Sequence, residues 1–338
     1  MGIKADGLTK NYDGVRAVDG VSFDIPPKAF FCVVGASGCG KSSLLRLIAG
    51  LETPDKGRIA LDGVAVAGGG VFVPPEARRV GVVFQSYALW PHLTVRQNVA
   101  FPYEAKGMKR AEALKQADGH LRMVSLEQQA DRRPEALSGG QRQRVALARS
   151  LAGDTRTILM DEPLANLDPH LRGAMEAELR AFHDRIGATT FYITHDQREA
   201  MALADLMAVM DKGRILQIGP PQEIHARPAN ATVARFIGRG ALVPATVRGG
   251  MARLCGQEFA VDGTGQGKAT LFLRPANVAL DDTGVPARIG AVLYRGGYWE
   301  ASADVDGLAV PVPLDLHRPV RAGERVALRF TGGWVLPG

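Results

Sequence analysis

Short runs of consecutive apolar residues, separated by turns rich in glycine and proline, divide the chain from Ile3 to about Ile237. One such run, Phe30 to Val34, is short and continuously apolar, which predicts a fully buried strand. The helical spacing of apolar residues from Ser43 to Ala49 predicts a helix that ends at Gly50. Further buried strands are predicted over residues 80–84, 157–160 and 189–193. Strands that alternate with helices predict a mainly parallel sheet covered by helices, the α/β class.

One stretch of this first part has a different pattern. Residues 104–134 contain no long apolar run and place Ala, Glu, Lys and Leu at helical spacing. Because sheet strands are predicted on both sides of this stretch, it indicates a helical subdomain inserted into the α/β domain, at about residues 88–155.

The pattern changes again near Gly238-Arg239-Gly240. Beyond this point, strand-like pieces are bounded by Gly, Pro and Asp, and they cover residues 269–273, 287–294, 298–305 and 325–330. Gly296-Gly297 lies between two of these pieces and predicts a hairpin turn. Short strands at this spacing favour a small all-β barrel. We therefore predict an α/β domain over residues 1–237 and a β-barrel domain over residues 241–338.

Composition and charge exclude some classes of protein. The chain is 46% hydrophobic and 22% charged, and no apolar run approaches the roughly 18 residues of a membrane span. No signal-peptide pattern opens the chain, and its three cysteines have neither metal-ligand nor disulfide spacing, so a cytoplasmic location is expected. The net charge of +6 is spread along the chain, which favours a solvated surface over a nucleic-acid or membrane patch.

Candidate chemistry begins directly after the strand at Phe30 to Val34. A glycine-rich loop leads there into the predicted helix, a context in which backbone N–H groups and a helix N-terminus bind phosphate. Lys41 is expected to neutralise the β- and γ-phosphates, and the Ser42 hydroxyl to bind Mg²⁺. The candidate nucleotide-binding residues of this loop are Gly35, Ala36, Ser37, Gly38, Cys39, Gly40, Lys41, Ser42 and Ser43.

A second candidate phosphate-binding element is Leu137-Ser138-Gly139-Gly140-Gln141. Ser138 and Gln141 have the spacing of a helix capping box, so a helix is expected to begin here. Its positive N-terminal end presents a hydroxyl and glycine N–H groups, a surface suited to an anion. About twenty residues later, a predicted buried strand ends in Asp161 and Glu162, where a carboxylate can hold Mg²⁺ directly or through water.

The phosphate loop, the Leu137–Gln141 signature and the paired acids occur in the order typical of the ATP-binding-cassette family, which residues 3–237 resemble. The resemblance implies an ATPase that uses ATP and Mg²⁺. It implies catalytic roles for Glu162 as general base, for the switch histidine His195, and for Gln85, which is also expected to reach the metal. It further implies that Tyr12 stacks on adenine and that Asp168 lies in a loop crossing a dimer interface.

In the resembled family, ATP is sandwiched head to tail between two copies, which implies a homodimer that closes on ATP. Ser138, Gly139, Gly140 and Gln141 of one copy then contact the nucleotide held by the other. The family usually has Ser where Ala165 stands, so the resemblance implies one cross-interface hydrogen bond fewer.

Residues 86–95 are apolar and aromatic where a loop is normally polar, and they are similar to the segment that contacts the permease in bacterial importers of the maltose, polyamine and iron type. This implies a membrane permease partner reached through Gln85 to Val95, an indirect partnership with a substrate-binding protein, and a place on the cytoplasmic face of the cell membrane. Leu271 to Pro275 and the Gly296-Gly297 hairpin resemble the regulatory TOBE domain of those importers, although Ala276 replaces its usual acid. The junction at residues 236–245 resembles ferric-iron importers, and polyamine, phosphonate, sulfate and sugar stay open as cargo.

Two rival functions are open from sequence. One is an ABC-type ATPase not coupled to transport, but such proteins usually carry two cassettes or a long coiled coil, and this chain shows one set of motifs. The other is a nucleic-acid binder that uses the C-terminal barrel. It predicts clustered aromatic and basic residues, of which only Tyr294, Arg295, Tyr298 and Trp299 form a sparse version, so no nucleic acid is expected.

Overall fold

A computed structural model describes residues 2–152 and 155–337. The chain divides into two compact units, Met1–Pro221 and Gln222–Gly338. The boundary expected between residues 237 and 241 stays a prediction. The outer ends of the predicted domains at residues 1 and 338, and positions 153 and 154 of the predicted helical subdomain, lie outside the described residues. Within the described ranges, none of the helices has the length and apolarity needed to cross a membrane.

The elements are numbered in chain order. The strands are β1 (Ile3–Tyr12), β2 (Val15–Ile25), β3 (Phe30–Val34), β4 (Lys56–Leu61), β5 (Val64–Gly68), β6 (Val71–Phe72), β7 (Val80–Val83), β8 (Thr157–Asp161), β9 (Thr189–Thr194), β10 (Leu206–Asp211), β11 (Arg214–Gly219), β12 (Ala241–Arg248), β13 (Met251–Leu254), β14 (Gln257–Ala260), β15 (Gly267–Leu273), β16 (Val278–Tyr294), β17 (Trp299–Val305), β18 (Val312–Leu316), β19 (Arg325–Phe330) and β20 (Trp334–Val335). The α-helices are α1 (Lys41–Ala49), α2 (Val95–Ala105), α3 (Arg110–Met123), α4 (Gly139–Leu151), α5 (Pro169–Ile186), α6 (Gln197–Leu203), α7 (Pro221–Ala226) and α8 (Ala231–Phe236).

A six-stranded sheet forms the centre of the first unit, in the order β11-β10-β3-β9-β8-β7. All neighbours in it are parallel except the pair β10 and β11. Every residue of β3 and of β9 is buried, as expected for parallel strands covered on both faces. The predicted α/β class with a mainly parallel sheet is therefore confirmed.

A second sheet of the first unit was not expected from the sequence. It is antiparallel, with the order β2-β1-β4-β5-β6. Buried and exposed residues alternate along much of β1 and β2, as they do when one face of a sheet packs on a core and the other meets solvent. A single hydrophobic core joins this sheet, α1 and the parallel sheet.

The helices α2, α3 and α4 follow one another between β7 and β8, within the predicted helical subdomain. Capping boxes begin two of them: Thr94 with Gln97 at α2, and Ser138 with Gln141 at α4. The capping box predicted at Ser138 is confirmed by both of its hydrogen bonds, which measure 3.0 Å and 3.3 Å.

The second unit contains two antiparallel sheets, ordered β14-β13-β12-β15-β20 and β18-β17-β16-β19. Side chains from both sheets share one hydrophobic core, which confirms a small all-β domain. The predicted hairpin at Gly296-Gly297 is present, because Tyr294 of β16 pairs with Trp299 of β17. Strands β12, β13, β14, β18 and β20 were not predicted, and β16 begins at Val278, nine residues before the predicted start.

Candidate nucleotide-binding and hydrolysis site

The strand order of the parallel sheet gathers the predicted site residues along one edge. Val34 of β3 lies beside Thr194 of β9, and Asp161 of β8 lies beside Ile193. The carboxyl ends of these parallel strands meet at the same edge, where α/β folds place their ligand sites. The phosphate loop, the loop of His195, the acids at the end of β8 and the loop of Gln85 therefore follow one another in space.

Three glycines shape the phosphate loop for different reasons. A Cβ on Gly35 would lie 2.2 Å from the carbonyl oxygen of Met210, and one on Gly40 would lie 2.0 Å from that of Ala17. Gly38 has open space around it but a φ of +79°, which L-residues rarely adopt. The cradle of the loop is thus closely backed at Gly35 and Gly40, and Gly38 supplies a left-handed turn, so the backbone N–H groups can approach a phosphate.

The Lys41 ammonium lies inside this cradle. Its Nζ donates to the carbonyl oxygens of Gly35 at 2.8 Å and Ala36 at 3.0 Å, and the side chain is almost fully buried. Burial raises the pKa of the Cys39 thiol, whose Sγ lies 3.8 Å from Nζ, so this cysteine is neutral at pH 7. The loop therefore holds one positive charge at its centre.

The Ser42 hydroxyl donates to Asp161 Oδ1 at 3.2 Å, which joins the start of α1 to the end of β8. Burial raises the pKa of Asp161, the nearby Glu162 charge adds to this rise, and the Ser42 hydrogen bond opposes it. A half-buried carboxylate of this kind gains from a cation, and both groups are the hard oxygen ligands that Mg²⁺ prefers. Ser42 and Asp161 therefore fit a magnesium ion.

No group of three or more His, Cys, Asp or Glu side chains among the described residues could hold a metal without further ligands. Mg²⁺ is usually bound by one or two protein oxygens together with substrate phosphates and water. When bound, the metal supplies positive charge to those phosphates.

Glu162 and His195 form the next pair along this edge. His195 Nδ1 lies 2.9 Å from Glu162 Oε2, and since an ionised carboxylate only accepts, Nδ1 carries the proton. Glu162 has a φ of +45°, uncommon for a residue with a side chain, and its N–H donates to Ile193 O at 3.0 Å. The carboxylate is thus oriented by its strained backbone and by the histidine.

A buried carboxylate that the sequence did not reveal supports the loop of His195. Glu199 Oε2 accepts from the hydroxyls of Tyr192 at 2.8 Å and Thr194 at 2.7 Å. Thr194 Oγ1 also accepts from the N–H of Asp196 at 2.9 Å, while Asp196 caps α6. Asp196 and Glu199 have the spacing of a capping box, which predicts a helix start and gives no sign that Glu199 is buried under the loop.

Gln85 lies two residues beyond β7 and is exposed. Its backbone carbonyl accepts from Asn166 Nδ2 at 2.9 Å, which connects it to the segment that follows Glu162. Asn166 is a second residue that the sequence did not single out. Nothing in an exposed turn asparagine distinguishes it from an ordinary loop residue.

Tyr12 ends β1 at the hairpin that leads into β2. Its hydroxyl donates to Glu52, which follows α1, and the Lys10 ammonium lies 5.5 Å from the centre of its ring. The same hairpin contributes Ala17, whose carbonyl backs Gly40 of the phosphate loop. The Tyr12 ring is thus fixed on an element that also contacts the loop, and about a third of the side chain is exposed.

The other predicted residues lie at helix starts. Ser138 is exposed at the N-terminus of α4, and a Cβ on Gly139 or Gly140 would lie 3.0 Å from Leu167 or 3.2 Å from Met175. Asp168 caps α5, its Oδ1 accepting from the N–H of His170 at 2.9 Å. The positive N-terminal end of the signature helix therefore presents the exposed Ser138 and the half-buried Gly139 at the surface, while Gly140 is buried.

Comparisons with known proteins agree with this geometry. The family described as ABC transporter matches residues 18–165. The chain is 40% identical over 331 residues to the uncharacterized ABC transporter ATP-binding protein y4oS of Sinorhizobium fredii, covering 95% of this chain and 88% of that protein. It is 37% identical over 336 residues to the Fe(3+) ions import ATP-binding protein FbpC of Agrobacterium fabrum, covering 96% and 94%.

Among solved structures, the chain is similar to the bacterial ABC transporter cassette MJ0796. The dimeric form of that cassette aligns with a TM-score of 0.57 and 31% identity, covering 65% of this chain and 98% of that one. Its post-hydrolysis state, bound to ADP and Pi, aligns with a TM-score of 0.56 and 30% identity over the same shares. The chain therefore belongs to the ABC transporter family, as an ATP-hydrolysing importer subunit that uses ATP and Mg²⁺.

Proposed function

We propose that two copies of this chain close head to tail on ATP and that hydrolysis reopens them to drive import through a membrane permease. The supporting observation is the row of loops at one sheet edge, in which Lys41, the Ser42–Asp161 pair and the Glu162–His195 pair follow one another. In this proposal Glu162 is the general base, and His195 orients it and contacts the γ-phosphate.

The remaining roles follow from position. Gly35 to Ser43 hold the phosphates, with Lys41 on the β- and γ-phosphates. Ser42 and Asp161 hold Mg²⁺, and Gln85 reaches the metal or the attacking water from the neighbouring strand end. Tyr12 stacks on the adenine ring.

The homodimer is supported by the state of the signature helix. At the N-terminal end of α4, Ser138 is exposed and Gly139 is half-buried, whereas Gly140 is buried against Met175, so an approaching phosphate would meet the Ser138 hydroxyl and the N–H of Gly139. The partner copy would bring Ser138 to Gln141 to the nucleotide, with Asp168 nearby. The related cassette MJ0796 has a dimeric structure, which supports a dimer of this chain as well.

Tyr12→Leu is expected to weaken ATP binding about ten-fold, because stacking of a base on an aromatic ring contributes roughly 1–3 kcal/mol. One face of the ring is already taken by Lys10, so the base would lie on the other. Titration with a fluorescent ATP analogue measures the affinity. Tyr12→Phe is the matched control: it keeps the ring, loses the bond to Glu52 and should bind as the unmodified chain does. Equal affinities for the Leu and Phe variants would remove Tyr12 from the nucleotide site.

The permease surface is proposed at Gln85 to Val95. Trp90 in this segment packs on Phe101 of α2, with ring centres 4.2 Å apart, and Phe101 is 41% exposed. The half-buried Trp90 and the exposed Phe101 line a groove together with Val82, Phe84 and Pro102, and such a groove suits a helix from a membrane partner. The chain would then be held at the cytoplasmic face of the cell membrane, and a substrate-binding protein would act on it only through the permease.

We propose residues 1–237 as the ATP-binding domain and residues 241–338 as a TOBE-like regulatory domain. In the latter, Arg274 donates to the carbonyls of His225 at 2.6 Å and Ile237 at 2.9 Å, which fixes the segment entering the β domain. In the aromatic cluster that could suggest nucleic acid, Tyr294 packs on Trp299 although it is 61% exposed, and Arg295 pairs with Glu300. A nucleic-acid function therefore finds little support.

Ferric iron is the first cargo to test, because the junction at residues 236–245 favours it and one relative is named for Fe(3+) import, while relatives named for putrescine and sn-glycerol-3-phosphate import are as similar. We expect the chain to copurify with a permease and to drive ATP-dependent uptake of ferric iron into vesicles that contain the complex and its binding protein. Polyamine, phosphonate, sulfate and sugar are assayed in parallel, and uptake of one of these instead would reassign the cargo. Failure of any permease to copurify would favour an ATPase not coupled to transport.

A further inference from the structure

Two adjacent residues after Gln85 adopt a backbone conformation that side chains disfavour. Tyr87 has a φ of +62° and Ala88 a φ of +46°. The left-handed region is uncommon for residues other than glycine, and it persists where surrounding contacts hold it. Something must therefore stabilise this segment.

The stabilising group is Arg149, near the end of α4. Its Nη2 donates to the carbonyl of Tyr87 at 2.7 Å and its Nη1 to that of Ala88 at 2.6 Å. Successive carbonyls point to opposite sides of an extended strand, whereas the left-handed turn directs both toward one guanidinium. The same guanidinium lies 4.9 Å from the centre of the Trp90 ring.

Arg149 carries a buried positive charge, and these contacts stabilise it. The residue is only 9% exposed, and burial lowers the pKa of its guanidinium to about 10, so it stays cationic at neutral pH. A buried cation is retained only when well-placed acceptors surround it. Here the acceptors are the two carbonyls, and the aromatic ring lies beside them.

The segment is also held from the other side. The Tyr87 hydroxyl donates to the carbonyl of Pro163 at 3.3 Å, and Asn166 donates to that of Gln85. Residues 85–90 therefore connect the residues just after Glu162 with the far end of the signature helix. Arg149 lies ten residues beyond Gly139, about 15 Å along a helix of ordinary rise.

We propose that Arg149 is a positioning residue for hydrolysis: it holds Tyr87 and Ala88 in their left-handed conformation, and so holds Gln85 at the nucleotide. It also links the permease surface at Trp90 to the helix whose first turn carries the signature. This inference rests on the role proposed above for Gln85. A positioning role for Arg149 can be told from a packing role. If Arg149 only filled space, substitutions at Arg149 and at Ala88 would have independent effects on kcat.

The test uses the full-length chain and substitutions at two positions. Arg149→Met keeps most of the side-chain volume and removes the donors, and it should lower kcat about ten-fold, as a misplaced catalytic group does, with KM for ATP unchanged. Arg149→Lys keeps the positive charge and loses the paired guanidinium donors, and its kcat should lie between those of Arg149→Met and the unmodified chain. Ala88→Gly makes the left-handed conformation easy. The double variant Arg149→Met/Ala88→Gly should have a kcat about five-fold higher than Arg149→Met alone. A double-mutant cycle that also includes Ala88→Gly alone measures the coupling between the two positions.

Two results would overturn the proposal: an unchanged kcat in Arg149→Met, or no recovery when Ala88→Gly is added to a folded Arg149→Met. Thermal melting establishes that each variant is folded, and the same cycle with Arg149→Lys replaces it if the Met variant does not fold. Gln85→Ala is measured separately. A normal kcat in Gln85→Ala would reject the proposed role of Gln85. If Ala88→Gly does not raise the kcat of Arg149→Met, the positioning role of Arg149 is rejected, so the two failures are distinct.

Discussion

Glu162→Gln is expected to bind ATP with unchanged affinity and to hydrolyse it about 10²–10⁴ times more slowly, the usual effect of removing a positioned base. The amide has the same size and can still accept from His195 Nδ1, which lies 2.9 Å from the carboxylate, so the geometry should persist. It cannot take a proton from water. Because hydrolysis is what reopens the proposed dimer, the variant should accumulate as a closed dimer in Mg-ATP. Phosphate release measures the rate, and light scattering during size exclusion measures the mass.

Glu258→Gln is the matched control for this experiment, since it makes the same chemical change at an exposed position on β14. It should hydrolyse ATP at the normal rate and elute as the unmodified chain does. Unchanged phosphate release by Glu162→Gln would take the general-base role away from that residue. A Glu162→Gln protein that hydrolyses slowly but remains a monomer under saturating Mg-ATP would instead reject the head-to-tail dimer.

The nucleotide loop and the strands around it were predictable because their physical requirements are local. A buried parallel strand needs a continuous apolar run, and Phe30 to Val34 provides one. A loop whose walls exclude side chains needs glycine at Gly35 and Gly40, where a Cβ would lie within about 2 Å of a carbonyl oxygen. The capping box at Ser138 involves groups three residues apart. Each of these signals can be read within a short window of sequence.

The contacts that join distant parts of the chain could not be predicted in this way. Arg149 and the carbonyls it binds are 61 and 62 residues apart, and arginine in a helix is ordinarily a surface residue. Glu199 can be buried because Tyr192 and Thr194 of β9 donate to it and the Arg172 guanidinium lies 3.8 Å away, contacts that come from other elements of the fold. The antiparallel sheet was missed because the register shifts between β1 and β2 interrupt the alternation in the second half of β1, although β2 keeps it from Val21 to Ile25.

Lys41→Ala is expected to lower ATP affinity about ten- to hundred-fold, because a hydrogen bond to a charged group contributes roughly 1.5–3 kcal/mol and this ammonium faces the most highly charged part of the ligand. Its position inside the loop, bound to the carbonyls of Gly35 and Ala36, means that the substitution removes two internal bonds as well as the charge. Loss of affinity could therefore arise from a collapsed loop.

Lys41→Met separates these two causes, since it keeps the length of the side chain in the buried channel and removes only the ammonium. If the charge matters most, Met and Ala variants should lose similar affinity for a fluorescent ATP analogue, and both should melt close to the unmodified chain without nucleotide. If the shape of the loop matters most, the Met variant should bind well and the Ala variant should melt early. Lys56→Ala, on an exposed strand position, controls for loss of a surface cation. Normal affinity in both Lys41 variants would contradict phosphate binding by this loop, because no other part of the proposed site places a buried cation at the β- and γ-phosphates.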